Sequence, residues 1–234
     1  MTTTLDTPSR PQTASSRLFQ HVNRSVARLQ TGYLLDRAWA VSELARIRHG
    51  VGKPLGSSVE LIGLTTAQLE PESPTLPDAP TALELAAYTA ITFYAMHQQS
   101  QRKAPMHVPT VSLGTAAWRL STSGGSEEAV QRRFEALGTA STWEEATYHS
   151  RGIIQQLRSE AIPLDYALFA TDLFLLHQPE YASRVRNRWG RDFYRTRKEV
   201  DGASTPPPND DAATDSDTTD ITTADITKTP GEPS

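Results

Sequence analysis

Hydrophobic residues recur along most of the chain at intervals of three and four, the period of an α-helix that lies on a core. Leu18, Val22, Val26 and Leu29 form one such stripe. Alternating runs of Val, Ile and Thr, which predict strands, extend over only a few residues. The pattern therefore predicts an all-α fold class. The predicted helices span residues 17–30, 34–49, 82–102, 113–120, 127–137, 142–160, 163–177 and 179–195.

Residues at the ends of these helices predict how each one begins or stops. Thr81 and Glu84 have the spacing of a capping box, and so do Ser141 and Glu144. Gly50 follows a helical pattern and is expected to end that helix in the left-handed conformation. The predicted boundaries thus coincide with residues that can satisfy the free backbone groups of a helix end.

Two segments rich in proline and glycine interrupt the helical pattern. Residues 51–80 predict a long loop with about one turn of helix at 59–64. The proline-marked break at 104–111 predicts two small helical bundles, at residues 16–105 and 106–198. The residues expected to be buried in these bundles are Trp39, Leu85, Ile91, Leu113, Phe134, Leu157, Leu173 and Trp189.

The two ends of the chain differ from the middle in composition. Residues 1–15 are rich in Thr, Ser and Pro, and residues 199–234 contain almost no large apolar side chain. Such segments bury too little apolar surface to offset the entropy lost on ordering. We therefore expect a disordered N-terminal tail and a disordered acidic C-terminal tail.

Charge is divided unevenly between the body of the chain and its C-terminal tail. The whole chain has a net charge of −4. Residues 199–234 carry nine acids and one base, a charge of −8, which leaves 22 bases and 18 acids, a charge of +4, for residues 1–198. A basic body and an acidic tail indicate a charged partner such as nucleic acid. Most of the bases are arginine, whose planar guanidinium suits phosphate, although a GC-rich genome would also favour arginine.

The last predicted helix gives the clearest functional signal. Arg184, Arg188, Arg191 and Arg195 are spaced four, three and four residues apart, which places them on one face within an arc of about 60°. Like charges at this spacing destabilise a helix, and the sequence shows no matching acids opposite them. The simpler interpretation is a solvated face, but the uncompensated charge favours an external anion, and nucleic acid above all.

Other bases lie at helix ends and in the long loop. The further candidate nucleic-acid contacts are Arg46, Arg48, Lys53, Arg102, Lys103, Arg132 and Arg133. The four at helix C-termini are equally well explained as cations that complement the helix dipole. Lys53 lies in the loop, where the dipole offers no explanation. Arg132 and Arg133 are adjacent and point about 100° apart, so at most one of them faces a given groove.

Several kinds of chemistry find no support in the sequence. There is no cysteine, which excludes disulfides and thiol nucleophiles and fits a reducing cytoplasm. The six histidines are scattered without metal-ligand spacing, and residues 50–54 lack the spacing of a phosphate loop. No apolar run approaches the about 18 residues of a membrane span. We therefore expect no enzyme activity, no metal, no cofactor, no small-molecule substrate and no membrane association, in a cytoplasmic protein.

Six segments of the chain carry a family resemblance, and they are LARIRHGVGKPLG (44–56), AITFYAMHQQSQ (90–101), HVPTVSLGTAAWRL (107–120), VQRRFEAL (130–137), LRSEAIPLDYALFATDLF (157–174) and VRNRWGRDFYR (185–195). In this order they resemble the CasB family, the small subunit of the type I-E CRISPR Cascade complex. Each segment is weak alone, but the combination is specific, and the resemblance covers about residues 17–197. The acidic tail is not part of the family pattern.

This resemblance implies an all-α, non-catalytic protein of two helical bundles. Family members form a head-to-tail pair with a second copy along a crescent built on the guide RNA, and they contact the backbone and large subunits of Cascade. They present basic surface to the guide–target heteroduplex and to the displaced DNA strand. The implied role is to stabilise the R-loop in antiviral defence through contacts with the nucleic-acid backbone.

Two other classes of protein stay open at this stage. A free-standing helical DNA-binding regulator would need a recognition helix with base-reading residues at its N-terminal end, whereas the last predicted helix begins Pro-Glu-Tyr-Ala. A helical enzyme would need a catalytic constellation, and none is apparent. Binding that depends strongly on salt but not on sequence distinguishes the Cascade subunit from the regulator, and turnover of a substrate would indicate the enzyme.

Overall fold

The computed structural model describes residues 10–69, 79–123 and 127–203, with side chains described from residue 13 to residue 195 within these ranges. Over this part of the chain the fold is all-α, as predicted. The described residues form no β-strand, and one parallel bridge joins His107 to Leu164. The nine helices of the described ranges are α1 (Arg10–Leu34), α2 (Ala38–Arg48), α3 (Val59–Thr65), α4 (Ala82–Gln98), α5 (Leu113–Thr122), α6 (Glu127–Thr139), α7 (Trp143–Ser159), α8 (Tyr166–Leu176) and α9 (Pro179–Ala203).

Helices α4 and α8 form the centre of the molecule because they are apolar on nearly all sides. Every residue of α4 from Ala86 to Gln98 is buried, and most of α8 is buried as well. A helix without a polar face has to lie inside the protein. The two helices pack against each other, and α1, α2 and α7 cover α4, while α1 and α9 cover α8.

A buried polar pair links the two central helices. The Nδ1 atom of His97 on α4 lies 2.8 Å from the hydroxyl oxygen of Tyr166 on α8, and both residues have no exposed surface. Burial lowers the pKa of His97 to about 4, so the imidazole is neutral at pH 7. The Tyr94 ring meets the Tyr166 ring edge-on at 5.4 Å. The pair therefore supplies hydrogen bonding inside the core without a buried charge.

Several predicted helix ends are wrong by a few residues. Helix α1 begins at Arg10, so residues 10–15 are helical rather than part of a tail, and α9 continues to Ala203 instead of ending near residue 195. Helix α8 begins at Tyr166, not at residue 163, because the Asp165 carboxylate accepts hydrogen bonds from the backbone N–H groups of Ala167 and Leu168.

The predicted capping residues are confirmed at the start of α4, whereas at the start of α7 each capping residue lies one position later than predicted. The capping box of Thr81 and Glu84 is present, with both reciprocal hydrogen bonds. At α7 the N-cap is Thr142 instead of Ser141, and Glu145 instead of Glu144 reaches back to the Ser141 backbone N–H at 2.9 Å. Helix α2 ends at Arg48 without the predicted left-handed Gly50; the first glycine with positive φ in this loop is Gly52. Ser126, which precedes the predicted helix 127–137 and is by its residue type the expected N-cap, lies outside the described residues.

The prediction that Trp39 is buried is wrong. Its side chain is 44% exposed. The edge of the indole ring lies against Gly32, where a Cβ atom would collide with it, and the Arg28 guanidinium lies 4.7 Å from the ring centroid. Trp39 thus lies on the outside of α1, in contact with a glycine and a cation of that helix. Of the other predicted core residues, Leu85 and Phe134 are half-buried and the remaining five are buried.

One continuous cluster of buried apolar residues runs through both predicted bundles. It includes Leu18 on α1, Ile91 on α4 and Leu173 on α8, because α1 and α4 from the first predicted bundle both pack on α8 from the second. The division of the chain at residues 104–111 stays a prediction.

Candidate nucleic-acid interface

The arginine stripe of α9 is present on the helix, but its members differ in environment. Arg184, Arg191 and Arg195 are exposed, whereas Arg188 is half-buried. The Arg184 guanidinium lies 5.9 Å from the centroid of the Tyr181 ring. Arg195 donates to Asp192 at 3.0 Å, one turn back along the helix. The stripe is therefore not a row of four equivalent cations.

Arg188 has a structural partner that the sequence analysis missed. Its guanidinium forms an ion pair with Asp172 of α8, whose side chain is completely buried. The other carboxylate oxygen of Asp172 accepts a hydrogen bond from the Trp189 indole Nε1 at 2.6 Å. The prediction that no acid compensates the stripe is wrong for Arg188 and for Arg195. A lone acid within the apolar run of α8 was the available signal, because a buried carboxylate needs a cation.

Helix α9 is fixed to the protein on the side opposite the exposed arginines. Trp189 and Phe193 are buried, and the Phe134 ring of α6 stacks on the Phe193 ring at 5.5 Å. Helix α5 approaches closely at Gly114, where a Cβ atom would collide with the Trp189 carbonyl oxygen. This anchoring holds Arg184 and Arg191 on a rigid helix.

The first group of further candidates, at the end of α2, is only partly available to a ligand. Arg46 is paired with Glu60 of α3 at 2.8 Å, and Arg48 is half-buried. Lys53 is exposed and forms no ion pair among the described residues. The predicted helix end at residue 102 is wrong: α4 ends at Gln98, and beyond it Arg102 is paired with Asp36 while Lys103 is exposed. The dipole interpretation therefore applies to Arg46 and Arg48 in the last turn of α2, with an ion pair to α3 added at Arg46, but not to Arg102 and Lys103.

Arg133 of α6 contacts α7, a helix that carries two arginines, Arg151 and Arg158, outside the candidates predicted from the sequence. The side chain of Arg133 crosses α7 at Gly152, and its Cδ atom lies 3.3 Å from the position of a Cβ atom there. Arg151 is the neighbouring residue on α7, and Arg158 lies seven residues further along the same face, at a rise of about 10 Å. Arg132 is exposed on α6.

The loop after α2 lies against Arg151 of α7. The Nη1 atom of Arg151 lies 2.9 Å from the position that a Cβ atom on Gly52 would take, so Lys53 is adjacent to it. We call Lys53, Arg133, Arg151 and Arg158 the α7 basic surface. Among the described residues, none of the four forms an ion pair with an acid. The signal that the sequence analysis missed is the spacing of Arg151 and Arg158 on one helical face.

One end of the α7 basic surface opens into a polar cleft of about 350 Å³. Arg158 donates from Nε to the Gln99 carbonyl oxygen at 3.2 Å, and Gln101 donates to the Arg158 carbonyl oxygen at 3.0 Å. Ser100, between them, has a φ of 68° in the left-handed region. The cleft is lined by Gln99, Ser100, Gln101, Gln155, Arg158 and Ser159. It offers amide and hydroxyl groups next to cations, which suits a phosphodiester backbone.

Within the described residues, no group of three His, Asp or Glu side chains is placed to hold a metal ion. The buried histidines are hydrogen-bonded parts of the core. The Nε2 atom of His21 lies 2.6 Å from the Thr65 carbonyl oxygen. The Nδ1 atom of His107 accepts a hydrogen bond from the Tyr166 backbone N–H at 3.1 Å. Burial lowers the pKa of both. None of the described helices is both long enough and apolar enough to cross a membrane.

The fold and the exposed cations define a helical protein with a basic face and no recognisable metal centre in its described part. The family profile for CRISPR-associated protein Cse2 matches residues 43–194. The chain therefore belongs to the Cse2 family, whose members are also called CasB, and the resemblance stated from the sequence is confirmed.

Two solved structures are similar to this chain. The crystal structure of CasB from Thermobifida fusca has 36% sequence identity and a TM-score of 0.63, over 76% of this chain and 98% of that chain. The crystal structure of M. ruber CasB has 21% identity and a TM-score of 0.55, over 85% of this chain and 100% of that one, and shows the likeness of the fold. Among curated protein sequences, none matches this chain.

Proposed function

We propose that this protein is the non-catalytic small subunit of a type I-E CRISPR Cascade ribonucleoprotein. In this role it binds the backbone of the guide–target heteroduplex and of the displaced strand, and it stabilises the R-loop in antiviral defence. Its partners are guide RNA, target DNA, the Cascade backbone and large subunits, and a second copy of itself arranged head to tail. Membership of the Cse2 family supports this proposal, and so does the basic face.

The observation that carries the binding role is the α7 basic surface. Lys53, Arg133, Arg151 and Arg158 come from a loop and two helices, and no acid of the described residues neutralises them. An external polyanion would supply the counter-charge that these four cations lack among the described residues. The exposed Arg184 and Arg191 on α9 supply a second basic group.

The mechanism that this geometry supports is electrostatic. Formation of an R-loop exchanges one duplex for another of about equal stability, so contacts to the backbone decide the balance. Arginine contacts to phosphate release counterions and carry no sequence information. The protein would therefore favour the open R-loop for every guide sequence alike.

Co-purification of the tagged full chain from its native host tests the proposal. We expect a ribonucleoprotein that contains a short RNA of uniform length together with other protein subunits. Recovery of the chain alone, combined with binding to one DNA sequence in preference to others, would instead indicate the free-standing regulator. Recovery with neither RNA nor subunits, and no affinity for any nucleic acid, would exclude both.

A further inference from the structure

The C-terminal segment 204–234, which follows α9 and lies outside the described residues, has the charge opposite to that of the α7 basic surface. It carries seven acids and one base, Lys228, a net charge of −6. Its acidic positions are Asp210, Asp211, Asp215, Asp217, Asp220, Asp225 and Glu232. With no Arg and one Lys, it has few internal partners for these carboxylates.

We propose that segment 204–234 occupies the α7 basic surface of its own chain when nucleic acid is absent. Because nucleic acid would bind the same surface, the segment acts as a displaceable substitute for the phosphate backbone. The contact within the chain is independent of the proposed function, and only its displacement by nucleic acid rests on that function.

Two of the four arginines in the α9 stripe have an ion pair, whereas none of the four cations of the α7 basic surface has one among the described residues. On α9, Arg188 and Arg195 are already paired with Asp172 and Asp192. Arg133 and Arg151 have no ion pair or hydrogen bond among the described residues, and neither the exposed Glu135 of α6 nor Glu160, which follows the last residue of α7, is paired with them. Carboxylates from outside the described part of the chain thus meet no resident competitor at Arg133 and Arg151.

The length of the segment allows this contact. Its 31 residues reach at most about 100 Å when extended. Because it belongs to the same chain, its local concentration is about millimolar at any protein concentration. At that concentration, surface ion pairs that each contribute little free energy in water are enough to hold the segment on the α7 basic surface.

Lys53 makes the contact directly measurable in the full chain. A carbodiimide activates an Asp carboxyl group as an O-acylisourea, and a lysine amine then forms an amide with loss of the urea. The chain has four lysines, Lys53, Lys103, Lys198 and Lys228. Lys198 precedes the segment by six residues and provides an internal control for reagent activity. We expect mass spectrometry at low salt to show amide links from Lys53 to Asp210–Asp225.

Matched variants assign the contact to the surface. In the full chain, Arg133→Gln with Arg151→Gln should lower the Lys53 link at least fivefold, and about 0.5 M salt should do the same because it screens the charges. Arg24→Gln with Arg119→Gln makes the same change of net charge on α1 and α5 and should leave the link intact. Links from Lys198 without any from Lys53, or a Lys53 link that survives Arg133→Gln with Arg151→Gln, would overturn the proposal.

The displacement of segment 204–234 by nucleic acid is tested by a separate measurement of binding affinity. The full chain with the seven acids changed to Asn or Gln should bind duplex DNA roughly fivefold more tightly than the wild type at low salt, because the competitor is gone. Equal affinities would overturn displacement. If the Lys53 link forms but neither protein binds nucleic acid, the proposed function fails and the contact within the chain stands.

Discussion

The indole nitrogen of Trp189 donates a hydrogen bond to the buried carboxylate of Asp172 at 2.6 Å. The neighbouring residue Arg188 neutralises the same carboxylate. Two consecutive residues of α9 are thereby tied to one residue of α8, and the tie fixes the rotation of α9 about its axis. This rotation decides which arginines of α9 face solvent.

Arg188→Gln should destabilise the protein although the side chain belongs to a row of arginines. The change leaves Asp172 buried without a cation, which costs about 3–5 kcal/mol. Arg191→Gln is the matched control on an exposed position of the same helix and should change the free energy of unfolding by less than about 0.5 kcal/mol. Urea unfolding of the two variants makes the comparison, and equal stabilities would show that the Asp172 ion pair is unimportant.

Gly114→Ala should destabilise the contact between α5 and α9. The added methyl group would collide with the Trp189 carbonyl oxygen, and overpacking of this kind costs about 1–3 kcal/mol. Gly190→Ala on α9 is the control because its Cβ position is open, and removal of a helical glycine should stabilise by up to about 1 kcal/mol. Thermal unfolding should move the two midpoints in opposite directions; a lower midpoint for Gly190→Ala or a higher one for Gly114→Ala contradicts the packing described.

The two tryptophans that were both expected in the core should respond differently to truncation. Trp189→Ala should cost about 3–5 kcal/mol, because the ring is 2% exposed and its removal leaves a cavity. Trp39→Ala should cost about 1 kcal/mol, mainly from the contact with Arg28. Chemical denaturation measures both, and a cost above about 3 kcal/mol for Trp39→Ala would show that this side chain is buried in solution.

The neutral His97 should make stability depend on pH in acid. Its pKa is about 4 in the folded protein and 6.5 in the unfolded chain, so the unfolded chain binds the extra proton between these values. Stability is therefore fully present above pH 6.5 and is lost as pH falls, by about 2 kcal/mol from pH 7 to pH 5. His97→Gln should remove this part of the slope, and an unchanged slope would assign the acid sensitivity to other groups such as His21 and His107.

The sequence predicts the helical class and the family well because both depend on local patterns. Helical periodicity, the capping box at Thr81 and the ordered motifs are visible without knowledge of any contact between helices. Helix ends are predicted less well, because Thr142 and Asp165 compete with nearby residues for the same capping role. Burial of Trp39 cannot be inferred from its hydrophobicity, since Gly32 on another helix allows the ring to lie on the surface.

The basic residues show even more clearly that contacts between helices cannot be inferred from local sequence patterns. Arg188 belongs to the stripe by spacing, but its partner Asp172 comes from another helix. Arg133 and the loop that holds Lys53 come from other parts of the sequence and reach α7 through contacts at Gly152 and between Gly52 and Arg151. Whether an arginine is paired or available depends on such contacts between elements, and spacing along one helix does not report them.

The salt dependence of nucleic-acid affinity tests the central claim most directly. The full chain, the variant with Arg133→Gln and Arg151→Gln, and the control with Arg24→Gln and Arg119→Gln would be titrated with one duplex at several salt concentrations. If both surface arginines contact phosphates, the first variant should bind every sequence more weakly and should lower the slope of log K against log salt by up to about 0.9 for each lost contact. The control should keep the wild-type slope. A slope and affinity unchanged in the variant with Arg133→Gln and Arg151→Gln would contradict the claim that the α7 basic surface binds the nucleic-acid backbone.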